Sequence, residues 1–155
     1  MSAPLPGVEL RRQLSVAPAR VFAAFADAAL VERWLKPAPE FKLTALLFEF
    51  REGGRYRFAY DAPDGQRTFV GGTYRAIEPP ERIVFSWVIE PPDEHAGIES
   101  IVTATFSASG NGTLLVIRHD NFGRPDAEAR HGEGWRGAID QLDALLNSES
   151  EHGAR

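Results

Sequence analysis

Apolar and polar residues alternate near the start of the chain, with Val8, Leu10, Leu14 and Val16 on one side. A period of two predicts a first β-strand. Pro18 follows, and proline suits the first turn of a helix. Val21, Phe22 and Phe25 then recur at helical spacing. A second short helix is predicted from about Asp27 to Leu35. Asp27 is its N-cap, and Leu30, Val31, Trp34 and Leu35 form its apolar stripe. Pro37 and Pro39 end it.

The period then returns to two. Leu46, Phe48 and Phe50 share one face, with Glu49 and Arg51 on the other, and Gly53 and Gly54 make a turn. Tyr56, Phe58 and Tyr60 return opposite Arg55 and Arg57, which read as a solvated face paired with Glu49 and Glu52. A turn at 61–65 leads to a strand from Phe69 to Ile77. Gly71 and Gly72 interrupt it, marking a bulge or a close approach. Pro79 and Pro80 make the next turn. Ile83, Phe85, Trp87 and Ile89 form a strand, followed by a polar loop at 90–98. Val102, Ala104 and Phe106 form another, Asn111 and Gly112 a hairpin, and Leu115, Ile117 and His119 the last strand. From about Asp126 to Asn147 the spacing becomes three and four, through Trp135, Ala138, Ile139, Leu142, Leu145 and Leu146. This is one broad helical stripe.

The expected fold is α+β: a curved antiparallel sheet of six to seven strands around a long C-terminal helix, with two short helices after the first strand. Consecutive hairpins make a meander whose aromatic face needs cover. Trp135 to Leu146 spans ~17 Å at ~1.5 Å per residue. Six or seven strands ~4.8 Å apart make a sheet wider than a helix of ~10 Å diameter. The sheet must curl, and part of its concave face stays open beside the helix. A cavity is expected there.

Composition narrows the chemistry. The chain has 155 residues, 43% apolar and 25% charged, with a net charge of −5 and no cysteine. One domain over 1–155 is expected, with a core at about 8–147 and loose tails at 1–6 and 149–155. Without cysteine there is no disulfide, thiolate nucleophile or thiolate metal site. An acidic balance with interspersed signs disfavours nucleic acid. No stretch approaches the ~20 apolar residues of a membrane span, and no secretory signal precedes Val8. The reading is a cytoplasmic protein, monomer or homodimer, with no cofactor and no metal.

The remaining motifs are weak. His131 and Glu133 match half of a zinc-deaminase signature whose cysteines are missing here. His95, His119 and His152 have no partner at metal-ligand spacing. No G-x-S-x-G surrounds Ser86 or Ser107, and the glycine pairs open no phosphate loop. More informative are His131 and Trp135, four residues apart on one helix face, and His119, which shares the inward parity of Leu115 and Ile117. Gly132, Gly134 and Gly137 each cost a helix ~1 kcal/mol relative to alanine, so the sheet or a ligand comes close there. The candidate cavity residues are Trp34, Phe48, Phe58, Tyr60, Tyr74, Phe85, Trp87, His119, His131 and Trp135. Tyrosine and tryptophan need partners for their polar tips, which a mixed pocket supplies.

The order and spacing of several motifs resemble a known family. They are Val16, Pro18, Val21 and Phe22; Trp34, Lys36 and Pro37; Glu49, Gly53, Gly54 and Phe58; Gly72 and Tyr74; Pro79, Pro80, Arg82 and Ile83; Asn111, Gly112 and Thr113; and His131 to Trp135. Together they resemble the START-like helix-grip superfamily of polyketide cyclases and lipid carriers. Within it, they are most similar to homologues of the C-terminal domain of the heat-shock-protein-90 ATPase activator. The resemblance covers roughly Val8 to Leu146. It implies the helix-grip fold and a hydrophobic cavity, but no single activity. Three functions are therefore expected as alternatives. The first is binding of a hydrophobic or aromatic small molecule. The second is a stress-response interaction module with a chaperone partner. The third is a cyclase- or dehydratase-type enzyme using His119, His131 or Tyr74.

Overall fold

The computed structural model describes residues 7–153, with side chains as far as residue 148. The tail at 1–6 and residues 154 and 155 lie outside the described residues. The elements run β1 (Gly7–Leu14), α1 (Pro18–Ala26), α2 (Ala28–Trp34), β2 (Lys42–Phe48), β3 (Arg55–Asp61), β4 (Arg67–Glu78), β5 (Arg82–Ile89), β6 (Ser100–Ser109), β7 (Gly112–Asp120) and α3 (Pro125–Gly153). All seven strands form one antiparallel sheet in the order β1-β7-β6-β5-β4-β3-β2. The helix-grip α+β architecture is thus present. The first strand joins the last, and α1 and α2 carry the chain from one sheet edge to the other.

Pro18 opens α1, and the Asp27 carboxylate caps α2 by accepting from the Ala29 and Leu30 amides at 2.8 and 3.4 Å. α1 buries Val21, Phe22 and Phe25, and α2 buries Val31 and Trp34. The C-terminal helix buries Trp135, Ala138, Ile139, Leu142, Leu145 and Leu146, the stripe its spacing predicts. It begins at Pro125 and continues to Gly153, past the expected end at Asn147.

Polar bonds pin α3 to β1 along its length. Glu128 accepts from the Gly7 amide at 2.9 Å. Arg12 pairs with Asp140 at 2.6 Å and Asp143 at 3.2 Å, and Ser15 donates to Asn147 at 2.7 Å. α3 also packs on α1 and α2. It therefore lies over the β1 side of the concave face and leaves β3–β5 to line a space beside it.

Two local expectations are corrected, and for a third one of its two alternatives holds. Leu46 does not share a face with Phe48, because the β2 register slips between Ala45 and Leu47. That extra residue resets the alternation, and Leu46 and Leu47 are exposed. Phe50 lies beyond the strand and stacks on Phe48 with centroids 6.0 Å apart. The irregularity of β4 falls between Tyr74 and Ala76, not at the glycine pair. Gly72 instead marks a close approach, since a Cβ there would collide with the Ser86 carbonyl. Finally, Arg57 pairs with Glu90, at 2.9 and 3.0 Å, while Glu52 accepts from the Ile77 amide.

Candidate functional site: a cavity between sheet and helix

A cavity of about 440 Å³ opens between β3–β5, the loop at 35–41 and the first turns of α3. Its apolar lining is Leu35, Pro37, Phe41, Val70, Ile89 and Ala138, with the aromatic rings of Tyr60, Trp87 and Trp135. Lys36, Thr68, Arg130, His131, Glu133 and Gly134 complete it. An apolar body with a few polar groups and a volume of this size is the usual make-up of a small-molecule site.

Two buried relays hold the aromatic wall. Trp135 Nε1 donates to His119 Nδ1 at 2.8 Å. His119 then carries its proton on Nε2, which lies 2.7 Å from Ser100 Oγ, and that hydroxyl donates to the Trp87 carbonyl at 2.9 Å. In the second relay Trp87 Nε1 donates to His131 Nε2 at 3.2 Å. His131 Nδ1 thus bears the proton and donates to the Ala127 carbonyl at 2.8 Å. Indole nitrogens only donate, so each pairing forces its imidazole to be neutral and fixes the tautomer.

Electrostatics agree with this assignment. Burial, with the neighbouring His131 adding to it, holds His119 well below the usual value. His131 is lowered chiefly by burial, against the opposing bond to Ala127. Tyr60 donates to the Leu35 carbonyl at 2.8 Å, and burial pushes its hydroxyl far above the usual range. The aromatic wall therefore presents ring faces, with its indole, imidazole and phenol hydrogens already bonded within the protein.

A charged clasp borders the site. Arg130 makes a two-pronged pair with Asp93, at 2.7 and 2.8 Å, and also donates to His95 Nδ1 at 3.1 Å. His95 Nε2 lies 3.1 Å from Asp126, which Arg124 also holds. Arg124 and His95 lower the Asp126 carboxyl to about 2. The clasp ties the loop at 90–98 to the start of α3.

Of the ten candidate residues, Tyr60, Trp87, His131 and Trp135 line the cavity. His119 sits behind Trp135 and Trp87, fully buried, with its ring 5.1 Å from that of His131. The other five lie elsewhere. Trp34 is buried against Phe25 and donates to the Ala24 carbonyl at 2.9 Å, locking α1 to α2. Phe48, Phe58, Tyr74 and Phe85 join Phe50 and Tyr56 in an aromatic cluster nearer the turn after β2. Tyr74 is buried there, and burial raises its hydroxyl well above the usual range.

Sequence reasoning missed most of the rim. Thr68 and Val70 share the parity of Tyr74 on β4, and Ala138 stands three residues after Trp135 on α3, so these carried a readable signal, whereas Arg130, Glu133 and Gly134 stand off that repeat. Residues 35–41 follow no period, and only the fold brings them here. The glycines on α3 divide in role. A Cβ on Gly137 would collide with the Pro37 carbonyl, whereas Gly134 faces the cavity with Pro37 Cβ 3.9 Å from where its own would stand. Among the described residues, no three His, Asp or Glu side chains are grouped to hold a metal ion, and no helix is long and apolar enough to cross a membrane.

A protein-family model described as activator of Hsp90 ATPase homolog 1-like protein matches residues 15–147. The chain belongs to this family. Its sheet and long final helix are those of the START-like superfamily. A solved structure of a Chromobacterium violaceum protein is 32% identical, covering 90% of this chain and 95% of that one, with a TM-score of 0.80. The AHSA1 protein of Silicibacter pomeroyi is 26% identical, covering 93% and 99%, with a TM-score of 0.83. A protein from Arthrobacter aurescens, solved in solution, is also 26% identical, with coverage of 90% and 85% and a TM-score of 0.79. No curated protein matches the chain.

Proposed function

We propose that this family member is a cytoplasmic binding protein for a hydrophobic or aromatic small molecule, held between the sheet and α3. One observation carries the reading: an apolar, aromatic-lined space of about 440 Å³ that no side chain among the described residues fills. At ~30 Å³ per water, this is room for roughly fifteen waters. Replacing them with an apolar body removes a large apolar area from contact with water, at ~25 cal/mol per Å².

An acid–base enzyme finds less support. Both nitrogens of His119 and of His131 are committed within the protein, and Tyr74 is buried away from the cavity. A general base needs a free lone pair within reach of its substrate. The chaperone-partner reading rests on the family name and has no feature of the cavity behind it.

Native mass spectrometry and thermal shift against a panel of lipids, flavonoids and polyketides test the proposal. Retained one-to-one complexes that raise the melting temperature are expected. Thr68→Trp, which fills the cavity from β4, should abolish them while the free protein still unfolds cooperatively. Binding that is unchanged in Thr68→Trp would place the ligand elsewhere.

A further inference from the structure

The segment 35–37 is held at three successive carbonyls. The Leu35 carbonyl accepts from Tyr60 of β3 at 2.8 Å, and the Lys36 carbonyl accepts from Gln141 of α3 at 2.6 Å. The Pro37 carbonyl fills the space where Gly137 of α3 lacks a side chain. Three consecutive anchors on two different elements fix the backbone of a loop with no regular structure. Between them stands Lys36, a half-buried cation that lines the cavity.

The charges of the lining differ in their partners. Arg130 is held in its two-pronged pair by Asp93. Glu133 is exposed to solvent on α3. Lys36 has no ion pair and no side-chain hydrogen bond among the described residues, though three carbonyls hold its backbone in place. A half-buried charge beside low-dielectric walls projects its field into the cleft. The aromatic wall, in contrast, has its indole, imidazole and phenol hydrogens already bonded within the protein.

We propose that Lys36 receives the anionic end of the ligand, so that the site takes aryl carboxylates. The apolar body lies against Trp87 and Trp135, and the carboxylate stays at the rim. This rests on the cavity being a ligand site. A second polar group laid against the faces of Trp87 and Trp135 would be buried without a partner.

Tryptophan fluorescence titrations with naphthalene-2-carboxylate, its primary amide and 2-naphthylmethylamine test the assignment. In the unaltered protein the carboxylate binds at least tenfold more tightly than the amide, and the amine binds most weakly. Lys36→Met and Lys36→Gln each erase the preference for carboxylate over amide, while the amide's own affinity changes by less than threefold. Lys42→Met removes the same charge from a residue outside the cavity and leaves the preference intact. Equal binding of carboxylate and amide, or a preference that survives in both Lys36 variants, overturns the role of Lys36 and leaves the cavity reading standing. Binding of none of the three overturns both.

Discussion

The residues that decide the character of the cavity are its two indole–imidazole pairs. Tryptophan brings a large apolar face into a wall at the cost of one N–H that must be bonded. Here the two N–H groups of the wall go to His119 and His131, which in turn donate to oxygens behind the wall. A polar requirement is met on the far side, and the near side stays apolar. Removing one donor exposes the cost. Trp135→Phe leaves His119 Nδ1 buried with no donor, and an unsatisfied buried polar atom costs ~1–3 kcal/mol. Urea unfolding of this variant should show a loss in that range, with further loss from the smaller ring. A change below ~0.5 kcal/mol would mean the Trp135–His119 bond does not exist. The parity of His119 and the spacing of His131 and Trp135 put all three on inward faces in the sequence. Their pairing did not follow, because strand parity says nothing about which helix residue lies opposite.

Among the elements, α3 carries two demands on one face. Its apolar stripe must seal the core, and its first turns must leave space. The glycines mediate this. Gly137 permits contact between helix and loop at Pro37, while Gly134 leaves the mouth open. The two positions should respond in opposite directions to the same change. Gly137→Ala pushes the loop at 35–37 away from the helix, so its destabilisation should exceed the ~1 kcal/mol gained in helix propensity. Gly134→Ala meets nothing closer than 3.9 Å and should gain up to ~1 kcal/mol, while narrowing the mouth and weakening ligand binding. Chemical denaturation and ligand titration of both variants check this, and equal effects would contradict the division of roles. The sequence flagged these glycines as close-approach positions. It left open whether sheet or ligand approached, and at Gly137 the answer is a third thing, the connecting loop.

For the molecule as a whole, the neutral histidines couple stability to pH. His119 and His131 both titrate below the usual 6.5 in the folded state, for reasons of burial. The unfolded chain takes up protons near 6.5 while the folded chain resists them. The unfolded state then binds more protons, and stability falls as pH falls through that value. Asp93, His95 and Arg130 face this region as one clasp. The carboxylates run the same way in a lower window. Asp126, held down to about 2, contributes above its usual 3.8 and loses that contribution only as pH drops toward 2. Unfolding free energies from urea titrations should therefore be level above pH 7.5 and lower at pH 5.5. The slope between 7.5 and 5.5 should shrink in His131→Asn. A flat profile across that interval would contradict the neutral tautomers.

The sequence by itself determined what depends on neighbours along the chain. Period-two and period-three-to-four patterning, caps and turn residues specify seven strands, three helices and their buried faces, because side-chain direction repeats with the backbone. Hairpin connections then leave the meander little freedom. Where a bulge inserts a residue, as at Leu46, that logic breaks and the inward set shifts. Only the tertiary structure decided which side of the concave face α3 lies over, and hence where the cavity is. That choice comes from bonds between residues more than a hundred positions apart, Gly7 with Glu128 and Arg12 with Asp140. It also decided that Trp34, Phe48, Phe58, Tyr74 and Phe85 pack in the core, while the aperiodic residues Lys36, Pro37 and Phe41 line the cavity. Inward parity marks a residue as buried. Whether it meets another side chain or an open space depends on what the fold brings opposite.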